Sequence, residues 1–161
     1  AEWVVAHTDL DEVWLMVSPN NPLKDPRILA DEQVRLEQVR AAIAGKQGLV
    51  ASDFEFHLPR PTYTAETLRA LTKAYPEHEF TLIIGEDNLA IFDKWREHEY
   101  ILSNYRVFVY PRHGSHNAQC AMRNAQCVSV KMQGSNVQML REAPFFDISS
   151  TEIRNNLRVR K

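Results

Sequence analysis

The chain has 161 residues, of which 44% are hydrophobic and 25% charged, and its formal net charge is −2. This composition is typical of a globular protein and excludes an intrinsically disordered chain. No apolar run is long enough to cross a membrane. The slightly negative net charge does not favour binding to the phosphates of a nucleic acid. Two cysteines cannot form a disulfide framework, so we expect a cytoplasmic protein.

The first half of the chain alternates helical patterns with short apolar runs. Residues 1–8 are typical of the end of a helix, and further on Leu36, Val39 and Ile43 recur at helical spacing. The predicted elements are helix 1–8, strand 12–17, helix 31–44, strand 49–56 and helix 64–75, the last with Leu68, Leu71 and Tyr75 on one stripe.

The second half continues this alternation. Continuous apolar runs of such length are typical of strands buried on both faces, and therefore of a parallel sheet. The predicted elements are strand 80–84, helix 89–102, strand 106–110, a loop and edge strand over 113–135, and a helix that begins at Ser149. This order predicts an α/β fold with a doubly wound parallel sheet, in which ligands bind at the carboxyl ends of the strands.

The loops after the first two predicted strands carry candidate anion-binding groups. Asn21 and Lys24 lie in a loop that two prolines stiffen. This loop either binds an anion or is an ordinary solvated loop. Thr64 is a predicted N-cap. The helix behind Thr64 either offers its N–H groups to an anion or is simply a well-capped helix.

The third predicted strand is followed by candidate nucleoside contacts. Gly85 allows a ligand to approach the backbone closely. Asp87 either accepts hydrogen bonds from ribose hydroxyls or caps a helix at Leu89. Further along, Trp95 either stacks on an aromatic ligand or belongs to the core.

A capping box near the end of the chain predicts a further helix. Ser149 is followed three residues later by Glu152. Ser150, Thr151 and Arg154 then crowd the start of this helix. Hydroxyls, N–H groups and a guanidinium at one point suit a polyphosphate, although a well-capped surface helix has the same pattern.

Five segments together resemble the bacterial nicotinate-mononucleotide adenylyltransferases of the nucleotidyltransferase superfamily. They are SPNNPLK (18–24), ASDFEFHLPRPTYTAETL (51–68), IIGEDNLAIFDKW (83–95), VYPR (109–112) and DISSTEIR (147–154). The resemblance implies a Rossmann-like fold and adenylyl transfer from ATP to nicotinate mononucleotide. The products would be nicotinate adenine dinucleotide and pyrophosphate, a step of NAD synthesis that Mg²⁺ assists.

The resemblance also implies how the chain would hold nicotinate mononucleotide. Trp95 would stack on the pyridine ring, while Thr64 and the backbone around Trp95 and Arg96 would hold the nicotinate end. Asn21, with Lys24, would lie near phosphate.

For ATP, the resemblance implies contacts at two places. Gly85 and Asp87 would meet the nucleoside, with Asp87 on the ribose, and Ser150, Thr151 and Arg154 would hold the phosphates. The residues expected to neutralise charge during catalysis are Lys24 and Arg154. No residue of the chain is expected to be a metal ligand.

One part of the family pattern is absent. Members of the family begin with a glycine-rich strand and loop that lead to an H-x-G-H motif, and this chain does not contain that motif. We therefore expect a single nucleotidyltransferase domain over 1–161, truncated at both ends, without its first strand and phosphate loop. Residues 113–135 are expected to be an insert or irregular loop, and the chain as written to be inactive or nearly so.

Two other functions remain open from the sequence. The chain could be another nucleotidyltransferase, for example one that acts on pantetheine phosphate, or a non-catalytic nucleotide-binding domain. A homo-oligomer is also left open.

Overall fold

The computed structural model describes residues 1–19, 31–111 and 136–144. The chain divides into two compact units, residues 1–80 and 81–161, and each is described by itself. The predicted single domain, truncated at both ends, stays a prediction. Its insert at 113–135 lies outside the described residues.

The first unit pairs two parallel strands. Val13 lies opposite Leu49 and Met16 opposite Ser52, so the strands run in register over their full length. The elements in chain order are α1 (Glu2–His7), β1 (Val13–Met16), α2 (Glu32–Ile43), β2 (Leu49–Ser52), a 3₁₀ turn (Phe54–His57) and α3 (Thr64–Ala74). The predicted strand–helix–strand unit is confirmed.

The predicted helical stripes supply part of the core of the first unit, since Val39, Ile43 and Tyr75 are only half-buried. Leu36 of α2 and Leu68 and Leu71 of α3 are buried. The entry into β2 requires a glycine, because Gly48 has a φ of +71° and an added Cβ would lie 2.8 Å from the Val5 side chain. The Gly48 carbonyl accepts a 2.7 Å hydrogen bond from the Val13 amide, which continues the pairing of the two strands.

The second unit contains a three-stranded parallel sheet. The elements in chain order are β3 (Thr81–Gly85), α4 (Glu86–Leu89), a 3₁₀ turn (Phe92–Lys94), α5 (His98–Asn104), β4 (Arg106–Tyr110) and β5 (Val137–Met139). The strand order is β3–β4–β5, and the central strand has Val107, Phe108 and Val109 buried, while β3 and β5 are mostly half-buried. The apolar runs at 80–84 and 106–110 therefore predicted two adjacent strands.

The predicted helix 89–102 is wrong. Three short helical pieces replace it, because Trp95 is extended (φ −73°, ψ 139°) and Glu97 adopts a left-handed conformation (φ 55°). The spacing of Phe92 and Trp95 belongs to a 3₁₀ turn, in which residues three apart share a face.

The predicted strand 49–56 is too long. It ends at Ser52, whose hydroxyl accepts a 3.3 Å hydrogen bond from the Phe54 amide as the chain turns into the 3₁₀ turn. The sequence also did not predict β5, a strand of only three residues. Among the described residues, no helix is long and apolar enough to span a bilayer.

Candidate functional site

The start of α3 follows the carboxyl end of β2 through the 3₁₀ turn and a proline-containing loop. The prediction that Thr64 caps this helix is wrong, since Tyr63 is the N-cap and Thr64 is the first helical residue. Tyr63 makes no side-chain capping bond, and the Thr67 amide donates to the Tyr63 carbonyl at 2.9 Å. Thr64 is half-buried at this position.

A buried carboxylate lies behind the start of α3. Glu55 is 7% exposed, and its two oxygens accept hydrogen bonds from the hydroxyls of Thr62 (3.1 Å) and Thr67 (2.8 Å). Glu55 was not among the residues predicted from the sequence. The available signal was a carboxylate between two phenylalanines, Phe54 and Phe56, which is an unusual place for a charge unless hydroxyl or amide donors surround it.

The loop before α3 is also tied to α2. One nitrogen of the Arg60 guanidinium lies 2.8 and 2.9 Å from the two carboxylate oxygens of Glu32. Glu32 is the first residue of α2, whose N-cap Asp31 accepts from the amides of Gln33 (2.8 Å) and Val34 (3.4 Å). The Arg60–Glu32 pair is partly exposed and therefore contributes little stability, but it restricts the loop.

Only the beginning of the loop after β1 is described. Arg35 of α2 donates a 3.2 Å hydrogen bond to the carbonyl of Pro19 and so ties this loop to the helix. The predicted anion-binding residues of the loop, Asn21 and Lys24, lie outside the described residues.

At the carboxyl end of β3 the chain turns directly into α4. Gly85 is the N-cap of α4 with a φ of −79°, a conformation open to any residue, so its backbone conformation does not require glycine. Asp87 is the exposed second residue of α4. The alternative that Asp87 caps a helix at Leu89 is wrong, because Leu89 is the last residue of α4.

Trp95 ends the 3₁₀ turn that follows α4. Its ring centroid lies 5.0 Å from that of the fully buried Phe92, at an interplanar angle of 43°. The indole is half-buried, and its N–H has no hydrogen-bond acceptor among residues 1–19, 31–111 and 136–144. Phe92 therefore fills the core, while Trp95 packs on it with part of its surface open to solvent. Arg96 is exposed.

Tyr110 lies beside Gly85, because the two residues are partners at the carboxyl ends of β3 and β4. Its hydroxyl donates a 2.8 Å hydrogen bond to the carbonyl of Pro144, and desolvation by burial raises the pKa of Tyr110. Pro144 is the last described residue before the segment that carries the predicted phosphate contacts. Those contacts, Ser150, Thr151 and Arg154, lie outside the described residues.

The described candidate residues fall in both units. The first unit contains Thr64, and the second contains Gly85, Asp87, Trp95 and Arg96. Within the part of the chain that the structure describes, no group of three or more His, Cys, Asp or Glu residues is arranged to hold a metal ion.

Comparison with known proteins identifies the family. A model described as cytidylyltransferase-like matches residues 1–156. A curated protein of Cytophaga hutchinsonii named "Probable nicotinate-nucleotide adenylyltransferase" is 46% identical over 96% of this chain and 74% of its own length. A protein of the same name from Bacteroides fragilis is 44% identical over 98% of this chain and 72% of its own length. The chain belongs to the nicotinate-nucleotide adenylyltransferase branch of the cytidylyltransferase-like family.

The fold is shared with a more distant solved structure. The nicotinic acid mononucleotide adenylyltransferase of Plasmodium falciparum, complexed with NaAD, matches 96% of this chain and 73% of its own length with a TM-score of 0.70. Their sequence identity is 15%, so this likeness shows the fold alone. It confirms the predicted α/β, Rossmann-like class of parallel strands.

Proposed function

We propose that this adenylyltransferase joins ATP to nicotinate mononucleotide and releases nicotinate adenine dinucleotide and pyrophosphate, a step of NAD synthesis. The observation that carries this function is the identity of 46% and 44% with two curated relatives of that name over at least 96% of the chain.

The proposed reaction needs positioning more than proton transfer. The nucleophile is the phosphate of the mononucleotide, whose second pKa is about 6, so it is mostly ionised at neutral pH. One of its oxygens forms a bond to the α-phosphorus of ATP as the bond to the pyrophosphate oxygen breaks. The protein must therefore bring two polyanions into line and neutralise the charge that develops on pyrophosphate.

For the nicotinate end we propose Thr64 and Trp95 as the main contacts. Thr64 opens α3, where backbone N–H groups and the helix dipole favour a carboxylate. Trp95 offers a partly exposed indole on which a pyridine ring would stack. Arg96 and Asn21 are proposed as further contacts to the mononucleotide.

For ATP we propose Gly85 and Asp87 at the nucleoside. Their support is their position at the carboxyl end of a parallel strand, where α/β folds bind nucleotides. Lys24 and Arg154 are proposed to neutralise phosphate charge. Ser150 and Thr151 are proposed to hold the ATP phosphates.

Nucleotidyltransferases generally use a divalent metal ion, and we propose Mg²⁺. The described residues do not fit a protein cage for it, because they contain no suitable cluster of His, Cys, Asp or Glu. Mg²⁺ is usually bound through substrate phosphates with only one or two carboxylates. We therefore propose that the phosphates of ATP hold Mg²⁺, and we assign it no ligand among the described residues. A cytoplasmic location also remains a proposal, as does a homo-oligomer.

The assignment is tested by pyrophosphate release from ATP with a panel of acceptors. Nicotinate mononucleotide, nicotinamide mononucleotide and pantetheine phosphate are compared at equal concentration with the full-length protein. We expect the highest kcat/KM with nicotinate mononucleotide. A preference for pantetheine phosphate, or no turnover with any pyridine nucleotide, would contradict the proposed function.

A further inference from the structure

Glu55 is the acceptor at the centre of a buried polar cluster. Its oxygens accept from Thr62 at 3.1 Å and from Thr67 at 2.8 Å, and all three residues are at most 8% exposed. Both donors are neutral hydroxyls. No cationic partner of Glu55 lies among residues 1–19, 31–111 and 136–144, and a buried carboxylate without one is costly to desolvate. For stability alone, an apolar side chain would be more favourable at this position.

The Thr67 hydroxyl has one proton and two acceptors within reach. Glu55 Oε1 lies at 2.8 Å and the Tyr63 carbonyl at 3.2 Å. The carboxylate is the nearer and the stronger acceptor, because a hydrogen bond to an ionised group is shorter and stronger than one to a neutral group. The Tyr63 carbonyl retains the Thr67 amide as its donor at 2.9 Å. Glu55 therefore determines where the Thr67 hydroxyl points.

The cluster brackets the start of α3. Thr62 lies two residues before Thr64, and Thr67 lies three residues after it. One carboxylate thus holds the chain on both sides of Thr64. Glu55 itself belongs to the 3₁₀ turn that follows β2, where the Phe56 amide donates to the Asp53 carbonyl at 2.8 Å. The hydrogen bonds of Glu55 therefore connect the chain on both sides of Thr64 to the end of β2.

We propose that Glu55 is a positioning residue for the nicotinate mononucleotide subsite. Its carboxylate fixes the backbone from Thr62 to Thr67, so that the first turn of α3 has one orientation before the ligand arrives. This inference rests on the proposed function and on the role of Thr64 within it. Glu55 is proposed to act through Thr62 and Thr67 and not to contact the substrate directly.

The experiment separates the two substrates by their KM values. Glu55→Gln keeps the size of the side chain but leaves one acceptor oxygen in place of two, and Thr67→Val removes the hydroxyl at nearly constant shape. In the full-length enzyme, we expect each change to raise the KM for nicotinate mononucleotide about five- to tenfold. The KM for ATP should stay within about twofold, since Thr64, which lies between Thr62 and Thr67, is proposed to contact nicotinate mononucleotide and not ATP.

Two controls separate positioning from general loss of structure. Thr67→Ser restores the hydroxyl and should return the KM for nicotinate mononucleotide to within about twofold of the unaltered enzyme. Glu37→Gln changes an exposed glutamate on α2 that pairs with Arg40 and should leave both KM values unchanged.

Three results would overturn the inference. The first is folded Glu55→Gln and Thr67→Val enzymes with an unchanged KM for nicotinate mononucleotide. The second is an equal rise in the KM values for nicotinate mononucleotide and ATP in these variants. The third is an unaltered enzyme that does not use nicotinate mononucleotide. The third result would overturn the proposed function as well, whereas the first two leave that function intact. Should Glu55→Gln fail to fold, Thr67→Val and Thr62→Val decide between these results.

Discussion

The two regions that follow β2 and β3 are built by different interactions. After β2, the start of α3 is held by hydrogen bonds to the buried Glu55 carboxylate. After β3, the chain breaks into short helical pieces whose anchors are apolar, with Leu89 and Phe92 at 6% and 1% exposure. Directional bonds fix the angle of one helix start, whereas apolar packing fixes where the half-buried Trp95 lies.

This contrast shows that the segment after a parallel strand can be ordered without a long helix at every strand end. Hydrogen bonds are directional, so a change in one partner alters orientation as well as stability. Apolar packing depends on volume, so removal of a buried ring costs stability first. Substitutions in the two regions should therefore affect different quantities.

The largest expected effect comes from Phe92→Ala. Phe92 is fully buried, and its ring contacts those of Trp95 (5.0 Å) and His98 (6.4 Å). Truncation of a buried phenylalanine leaves a cavity and costs about 3–5 kcal/mol of unfolding free energy. Urea denaturation measures this loss. The control Val34→Ala removes an apolar side chain that is 49% exposed and should change stability by less than about 0.5 kcal/mol. Equal losses for the two variants would contradict an apolar anchor at Phe92.

A smaller and more selective effect is expected from Trp95→Ala. Stacking of a base on an aromatic side chain contributes about 1–3 kcal/mol, so nicotinate mononucleotide should bind more weakly while the affinity for ATP stays nearly constant. Isothermal titration with each ligand measures both affinities. Trp95→Phe keeps an aromatic face and should retain much of the binding. An unchanged affinity for the mononucleotide in Trp95→Ala would return Trp95 to a purely structural role.

The sequence predicted the elements that local patterns determine. Leu68 and Leu71 lie at helical spacing and are buried in α3, and the apolar run 106–110 coincides with β4. Parallel pairing followed from the strand–helix alternation, because parallel strands need a crossover connection. The family followed from short motifs and is confirmed by the curated relatives.

What the sequence did not predict depends on contacts between separate segments. Glu55 accepts from hydroxyls seven and twelve residues further along the chain, so the local pattern around it can indicate a buried carboxylate but not its two partners. The three-residue spacing of Phe92 and Trp95 fits an α-helix and a 3₁₀ turn equally well. The left-handed conformation that interrupts the predicted helix is at Glu97, and a glutamate gives no sequence signal for such a conformation, whereas a glycine would. The capping role of Tyr63 was missed because its side chain makes no capping bond.

The smallest expected effect concerns Tyr110, which is half-buried, whereas Glu55 is buried. Tyr110→Phe removes the 2.8 Å hydrogen bond to the Pro144 carbonyl and should cost about 0.5–1.5 kcal/mol of unfolding free energy near neutral pH.

Burial raises the pKa of Tyr110 above its ordinary value of 10.0, so the unfolded chain loses this proton at lower pH than the folded chain. The contribution of Tyr110 to stability is therefore complete below pH 10.0 and is lost as the pH rises through the folded-state pKa. The difference in unfolding free energy between the two proteins, measured by urea denaturation at about pH 8 and about pH 11, should shrink at the higher pH. A difference that is constant between these two values would mean that the hydroxyl is not desolvated, and that the polar contact at the end of β4 lies as open to water as an ordinary surface residue.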